Sequence, residues 1–305
     1  MATQFNDCLV IAISSRALFD LSDENALYEK EGLKAYSDYQ ITHEKDILKP
    51  GAGFSLVKAL LNLNKKVANK QIVEVIITSR NSADTSLRIF NSIEYYGLDI
   101  SRAILSGGQG LAQYLLAFNV DLFLSAYEDD VQEAIDFNIA AGMIYTNPLK
   151  NYDENTQIDP IRIAFDGDAV LFSDEAELIY KKDGLEAFVK HEKANAQKPL
   201  PEGPFAKFLK TISHLQESFP LDNVPIRTAL VTARNAPAHE RVIKTLRAWN
   251  VRIDEAFFLG GMSKKDILAA FAPHIFFDDQ VVHAIPASTL VPSAKVPYKN
   301  KTKKG

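Results

Sequence analysis

The chain has 305 residues, 47% of them hydrophobic and 24% charged, which excludes a disordered chain and suits one large α/β unit or two modest domains. A net charge of −5 excludes a general binder of nucleic acid or of membrane surfaces, so any anionic ligand must be held by a local positive site. Cys8 is the single cysteine, which excludes an intrachain disulfide and a cysteine-built zinc site; beside Leu9, Val10 and Ile11 it reads as a small buried residue.

The first residues carry no positive stretch followed by a long apolar run, and nothing approaches the roughly 20 apolar residues of a membrane span. The expectation is a cytoplasmic protein with no membrane partner. The first apolar run ends in Ser14-Ser15-Arg16-Ala17, and an acidic Ser22-Asp23-Glu24 follows. Tyr28, Gly32-Leu33, His43-Glu44-Lys45, Thr78-Ser79-Arg80-Asn81, Gly107-Gly108 and Leu122-Phe123-Leu124-Ser125 come next. Each block recurs about 150 residues later. Asp166-Gly167-Asp168-Ala169, Ser173-Asp174-Glu175, Tyr180, Gly184-Leu185, His191-Glu192-Lys193, Thr232-Ala233-Arg234-Asn235, Gly260-Gly261 and Ile275-Phe276-Phe277-Asp278 are the counterparts. This ordered series predicts an internal duplication, with halves at 1–150 and 151–305 joined by the polar stretch 147–160.

In the second half, 162–165, 226–231, 256–259 and 275–277 are short apolar runs expected to form buried parallel strands. Between them, Phe205, Phe208, Leu209, Ile212 and Leu215 recur at helical spacing, as do Val242, Ile243, Leu246 and Trp249. Strands alternating with helices predict an open parallel sheet covered on both faces, with these stripes in the core.

Ligands of such sheets bind beyond the carboxyl ends of the strands. There the sequence delivers Asp166 and Asp168, then Thr232, then Lys264 after the Gly260-Gly261 turn, then Asp278-Asp279. Taken singly these are weak signals: a solvated turn, a helix cap, a surface lysine. Together they place several carboxylates in one crevice, where they repel unless a cation is bound, and oxygen ligands of this kind suit Mg²⁺. The lysine and hydroxyl would then hold a phosphate. Arg234 is a further phosphate or substrate candidate. His239 and His283 read as structural or surface residues.

This order of residues resembles the haloacid-dehalogenase-type phosphohydrolases. More narrowly, the segment 161–280 resembles the cytosolic 5′-nucleotidase type I family. The resemblance rests on 164–175, His191-Glu192-Lys193-Ala194, 230–234 and 274–280. The first half resembles the same family through 12–16, 115–118 and 122–126. It implies an α/β fold, a Rossmann-like parallel sheet with a small cap at about 173–222, preceded by a degenerate repeat of the same unit. It also implies Mg²⁺-dependent hydrolysis of nucleoside 5′-monophosphates such as AMP. Asp166 would be the nucleophile and Asp168 the acid and base. Thr232 and Lys264 would bind the phosphoryl oxygens. Asp166, the Asp168 carbonyl and Asp278 would hold Mg²⁺, with Asp279 in support. His191 and Lys193 on the cap are expected either to touch substrate or to end a solvated helix.

The first half lacks this chemistry: Ser14, Arg16, Leu111, Ser125 and Ala126 stand where Asp166, Asp168, Lys264, Asp278 and Asp279 stand in the second. It is expected to be structural or to bind a regulatory nucleotide. Two other functions fit the residues, a phosphatase of another small phosphate ester and a nucleotide-binding sensor with incidental catalysis. The sequence leaves the oligomeric state open, a homo-oligomer included.

Overall fold

The computed structural model describes residues 8–67, 70–146 and 159–300. Most of the expected connection at 147–160 lies outside the described residues. The described chain divides into two compact units, the first holding 8–139 and 143–146, the second 140–142 and 159–300.

The first unit runs β1 (Leu9–Ser14), α1 (Ser15–Leu18), β2 (Phe19–Asp20), α2 (Ser22–Thr42), β3 (Lys49–Pro50), α3 (Phe54–Leu63) and β4 (Val73–Ser79). It continues with α4 (Leu87–Tyr95), β5 (Arg102–Leu105), α5 (Ala112–Ala117), β6 (Leu122–Ser125) and α6 (Glu128–Asp136), and β7 (Ala140–Ile144) follows. Its sheet has the order β6-β1-β4-β5, every pair parallel. Strands β1, β4 and β6 are buried along their whole length, as strands covered on both faces must be.

The second unit runs β8 (Ile161–Phe165), α7 (Glu175–Ala194), α8 (Ala206–Glu217), β9 (Ile226–Thr232), α9 (His239–Ala248) and β10 (Glu255–Phe258). It ends with α10 (Lys265–Phe271), β11 (Ile275–Asp278), α11 (Val281–Ser288) and β12 (Ser293–Lys295). The order is β10-β9-β8-β11-β12, again all parallel. This is the Rossmann-like sheet expected from alternating apolar runs and helical stripes.

Strand alternation sorts the core. Phe165 and Phe277 stack at 5.7 Å on one face, where Phe205 and Phe208 beside and within α8 cover them. Ala164 and Phe276, one residue earlier, point to the other face and pack with Leu268 of α10 and Ala287 of α11. Each buried aromatic contributes about 1.5–3 kcal/mol by leaving water. Because α8 belongs to this core, the part of 173–222 that stands apart from the sheet is α7.

Matching irregularities occur in both units. Helix α2 is kinked at Gly32 (φ 81°, ψ −176°) and α7 at Gly184 (φ 80°, ψ −177°), a region only glycine adopts readily. Paired positive-φ glycines, Gly107-Gly108 and Gly260-Gly261, follow β5 and β10. The Leu48 amide donates to Ser92 Oγ, and the Leu200 amide to Thr245 Oγ1. At the same distance beyond each kink a polar side chain is buried, Gln40 in α2 and Glu192 in α7. By this register the His-Glu-Lys match of the two sequences is displaced by one helical turn.

Candidate active site

Strand β8 has β9 on one side and β11 on the other, so the chain reverses its winding at β8 and leaves a crevice beyond its carboxyl end. Asp166 emerges from β8 with its amide bonded to the Phe277 carbonyl at 2.8 Å, and Asp278 ends β11. Lys264, the residue before α10, puts Nζ 2.8 Å from Asp166 Oδ1 and 2.7 Å from Asp278 Oδ2. All three are buried. Burial pushes the Asp166 carboxyl up to about 6 against the pull of Lys264. Burial alone would lower the Lys264 ammonium, but Asp166 and Asp278 outweigh it and raise it above its ordinary value.

Asp279 completes the cluster. Oxygens of Asp166, Asp278 and Asp279 lie within 4.8 Å of one another. Burial and the neighbouring Asp166 push Asp279 up to about 8. Its Oδ1 is buried with no hydrogen-bond partner, while Oδ2 contacts the Tyr298 hydroxyl. An orphaned carboxylate oxygen beside two others is the donor set of a hard divalent cation, so these residues fit Mg²⁺.

Thr232 ends β9. Its Oγ1 accepts the Arg234 amide at 3.2 Å, and it lies against Gly167, where an added Cβ would come within 3.2 Å of Oγ1. Any side chain between the two aspartates would press on Thr232, which would have to give by a few tenths of an ångström. Asp168 is turned toward Arg234, which donates from Nε and Nη2 to both its oxygens at 2.7 Å each. The other edge of Arg234 meets Glu192 through Nη1, and Arg241 donates to the same carboxylate at 2.8 Å. Burial would raise the Glu192 carboxyl, but the two guanidiniums outweigh it and hold it below its ordinary value.

The structure therefore brings Asp166, Lys264, Asp278 and Asp279 together and sets Asp168 and Arg234 beside them as a forked pair. His191 Nδ1 sits 3.2 Å from Glu192 Oε1, and Lys193 is exposed.

The sequence model of the 5′-nucleotidases matches residues 1–303. The chain belongs to the 5′-nucleotidase family. It is 41% identical over 294 residues to human "Cytosolic 5′-nucleotidase 1B", covering 93% of this chain and 48% of that protein. The chain thus spans about half the length of this curated relative. Among solved structures it resembles the Pnkp1/Rnl/Hen1 complex (TM-score 0.34, 12% identity, 99% of this chain and 100% of that one). It also resembles histidinol dehydrogenase from Elizabethkingia anophelis (TM-score 0.22, 9% identity, 82% and 50%). Likenesses this slight bear on neither fold nor function.

In this member of the 5′-nucleotidase family, residues that the sequence does not advertise also lie around the site. Glu192, Arg241, Glu177 and Tyr298 surround the site. Tyr298 donates to Glu177 Oε2 at 2.8 Å and so links the first arm of α7 to Asp279. Glu192, beyond the Gly184 kink, links the second arm to Arg234 and thence to Asp168. Among the described residues no helix is long and apolar enough to cross a membrane.

Proposed function

We propose that the chain is a cytosolic, Mg²⁺-dependent 5′-nucleotidase acting on nucleoside 5′-monophosphates. The observation that carries this is the buried Asp166–Lys264–Asp278–Asp279 cluster at the winding reversal of the second unit, in a chain that matches its family along nearly its whole length.

In this reading an Asp166 oxygen attacks phosphorus and becomes an aspartyl-phosphate as the bond to the 5′-oxygen breaks. Asp168 gives the leaving oxygen its proton, then takes one from the water that attacks the phospho-aspartate, releasing phosphate and restoring Asp166. Lys264 and Thr232 hold the phosphoryl oxygens. Asp166, the Asp168 carbonyl and Asp278 would hold Mg²⁺ with Asp279 behind them, and the ion would supply charge neutralisation at the transferring group. Both Asp168 oxygens are engaged by Arg234, so Asp168 meets the leaving group only after that fork opens. Helix α7, which carries Glu192, acts as the cap, with His191 and Lys193 on its last turn available to substrate.

Support for the duplication comes from the paired kinks, glycine turns and buried hydrogen bonds of the two units. We infer that the first unit is a copy that lost its carboxylates.

The test is a phosphate-release panel of ribo- and deoxyribonucleoside monophosphates against sugar phosphates, with and without metal. Nucleotides should dominate, and EDTA should abolish release until Mg²⁺ is restored. Equal rates on sugar phosphates would move the assignment to a general small-ester phosphatase. Release at background with saturating nucleotide and Mg²⁺ would leave a nucleotide sensor.

A further inference from the structure

The first unit has a crevice of its own, of about 470 Å³, within the usual range of small-molecule sites. It opens beyond the carboxyl ends of β4, β5 and β6, where Arg80 and Asn81, Gly107 and Gly108, and Tyr127 line it; Tyr28 and Tyr36 come from α2. No carboxylate lines it among the described residues.

The crevice is cationic at one end. The guanidiniums of Arg16 and Arg80 lie 5.5 and 5.9 Å from the Tyr127 ring centre, so both cations border that ring. Arg80 uses Nε and Nη2 on Asp130, which leaves the edge bearing Nη1 for another acceptor, and its side chain is 42% exposed.

The carboxyl side of this sheet also holds unmet hydrogen-bonding capacity. Arg16 Nε, Thr78 Oγ1 and Ser106 Oγ are buried without partners, three of the six such atoms among the described residues. They lie just after β1, one residue before the end of β4 and just after β5, at the carboxyl side of the sheet and behind the residues that line the crevice. Gly107 and Gly108 both have positive φ, and an added Cβ on either would meet open space, so the turn leaves room beside its backbone.

The other end is aromatic. Tyr28 and Tyr36 meet edge to face at 6.0 Å, and Asn81 fixes Tyr36 by donating from Nδ2 to its hydroxyl at 2.7 Å. No carboxylate stands at Ser14 or Ser125 to attack phosphorus or hold a metal. Ser14 Oγ accepts from the Ala17 amide and, across to the end of β6, from the Ala126 amide at 3.3 Å, and Ser125 Oγ accepts from the Tyr127 amide at 3.1 Å, so both hydroxyls serve backbone amides.

We propose that this crevice binds, without hydrolysing it, a phosphate monoester that carries a flat heteroaromatic ring. The phosphate lies toward Arg16, Arg80 and the Gly107-Gly108 turn, and the ring lies against Tyr28 and Tyr36. The assignment stands on the first unit alone and does not depend on the chemistry of the second.

The experiment photolabels the full chain, in its Asp166→Asn form so that the probe survives, with 8-azidoadenosine 5′-monophosphate and maps the labelled peptides. Label is expected on first-unit peptides holding Tyr28, Tyr36 or Tyr127, protected by excess AMP far better than by adenosine. Asn81→Asp keeps shape and can still bond Tyr36 while setting a negative charge in the crevice. It should cut first-unit labelling about tenfold, the loss of one good contact, while second-unit labelling and the melting temperature hold. Tyr28→Ala, at a half-exposed position, should also reduce it and serves if the charged variant is unstable. Label confined to the second unit, or first-unit label unchanged by both variants, would overturn the proposal.

Discussion

Arg80 and Arg234 follow the same threonine at the ends of β4 and β9, yet they keep different company. Arg234 is 2% exposed and locked between Asp168 and Glu192. The corresponding positions of the first unit hold Arg16 and Gln40, so Arg80 has neither acid beside it and pairs with Asp130 of α6. Arg88 of α4, the counterpart of Arg241, likewise takes Glu24. Arg88 is a buried cation that must keep a partner, because an unpaired charge in the interior costs several kcal/mol, whereas Arg80 is well exposed to solvent. The two units thus wire their arginines differently, and Arg80 faces outward where Arg234 is enclosed.

The comparison breaks first at the nucleophile. Asp166→Asn should reduce phosphate release to background while circular dichroism and melting stay native, because an amide cannot form the acyl-phosphate. The reciprocal Ser14→Asp should gain no activity, since Arg16, Leu111 and Ser125 supply neither lysine nor metal ligands. Turnover by the Asp166→Asn protein, or a rate above wild type from Ser14→Asp, would contradict the division of labour. Next in size is Asp168→Asn, which should slow kcat roughly 10²–10⁴-fold, the range for a positioned acid and base. A normal rate would remove Asp168 from that role.

Glu192→Gln installs in the second unit what Gln40 is in the first. It leaves Arg234 and Arg241 without their shared carboxylate and should cost about 3–5 kcal/mol at neutral pH in urea unfolding. Glu192 titrates below its ordinary value when folded, so its stabilisation is present above the unfolded carboxylate pKa of 4.5 and fades as pH falls through the lower folded one. The gap between wild type and variant should close in that acid window; a constant gap would mean the charge is not what stabilises. The smallest effect is Ser14→Ala. It removes an acceptor from two amides, so about 1 kcal/mol of stability should go while kcat stays within experimental error. A large kcat loss in the folded variant would mean that the first unit takes part in the chemistry.

Much of this was legible because strand ends announce themselves. Asp166, Thr232 and Asp278 each terminate an apolar run, and Lys264 follows a double-glycine turn, so linear order alone predicts convergence. Glu192 was hidden in plain view between His191 and Lys193, whose charge drew attention while the helix turned the residue between them inward. Tyr298 gave no signal, since its partners Glu177 and Asp279 are distant in sequence and no periodicity links them. The extent of the cap was legible only in part. The spacing of Phe205, Phe208 and Ile212 marks a core stripe, and the structure seats it on Phe277, which leaves α7 alone outside the sheet.

Gly184 gives that helix a consequence of its own. Its ψ of −177° splits α7 into two arms, one gripping the Asp279 side of the site through Glu177 and Tyr298, the other gripping Asp168 through Glu192 and Arg234. The two arms work as the jaws of a calliper whose gauge is a single backbone torsion. The angle between the grip on Asp168 and the grip on Asp279 is thus a torsion of the one residue type with no side chain to resist it.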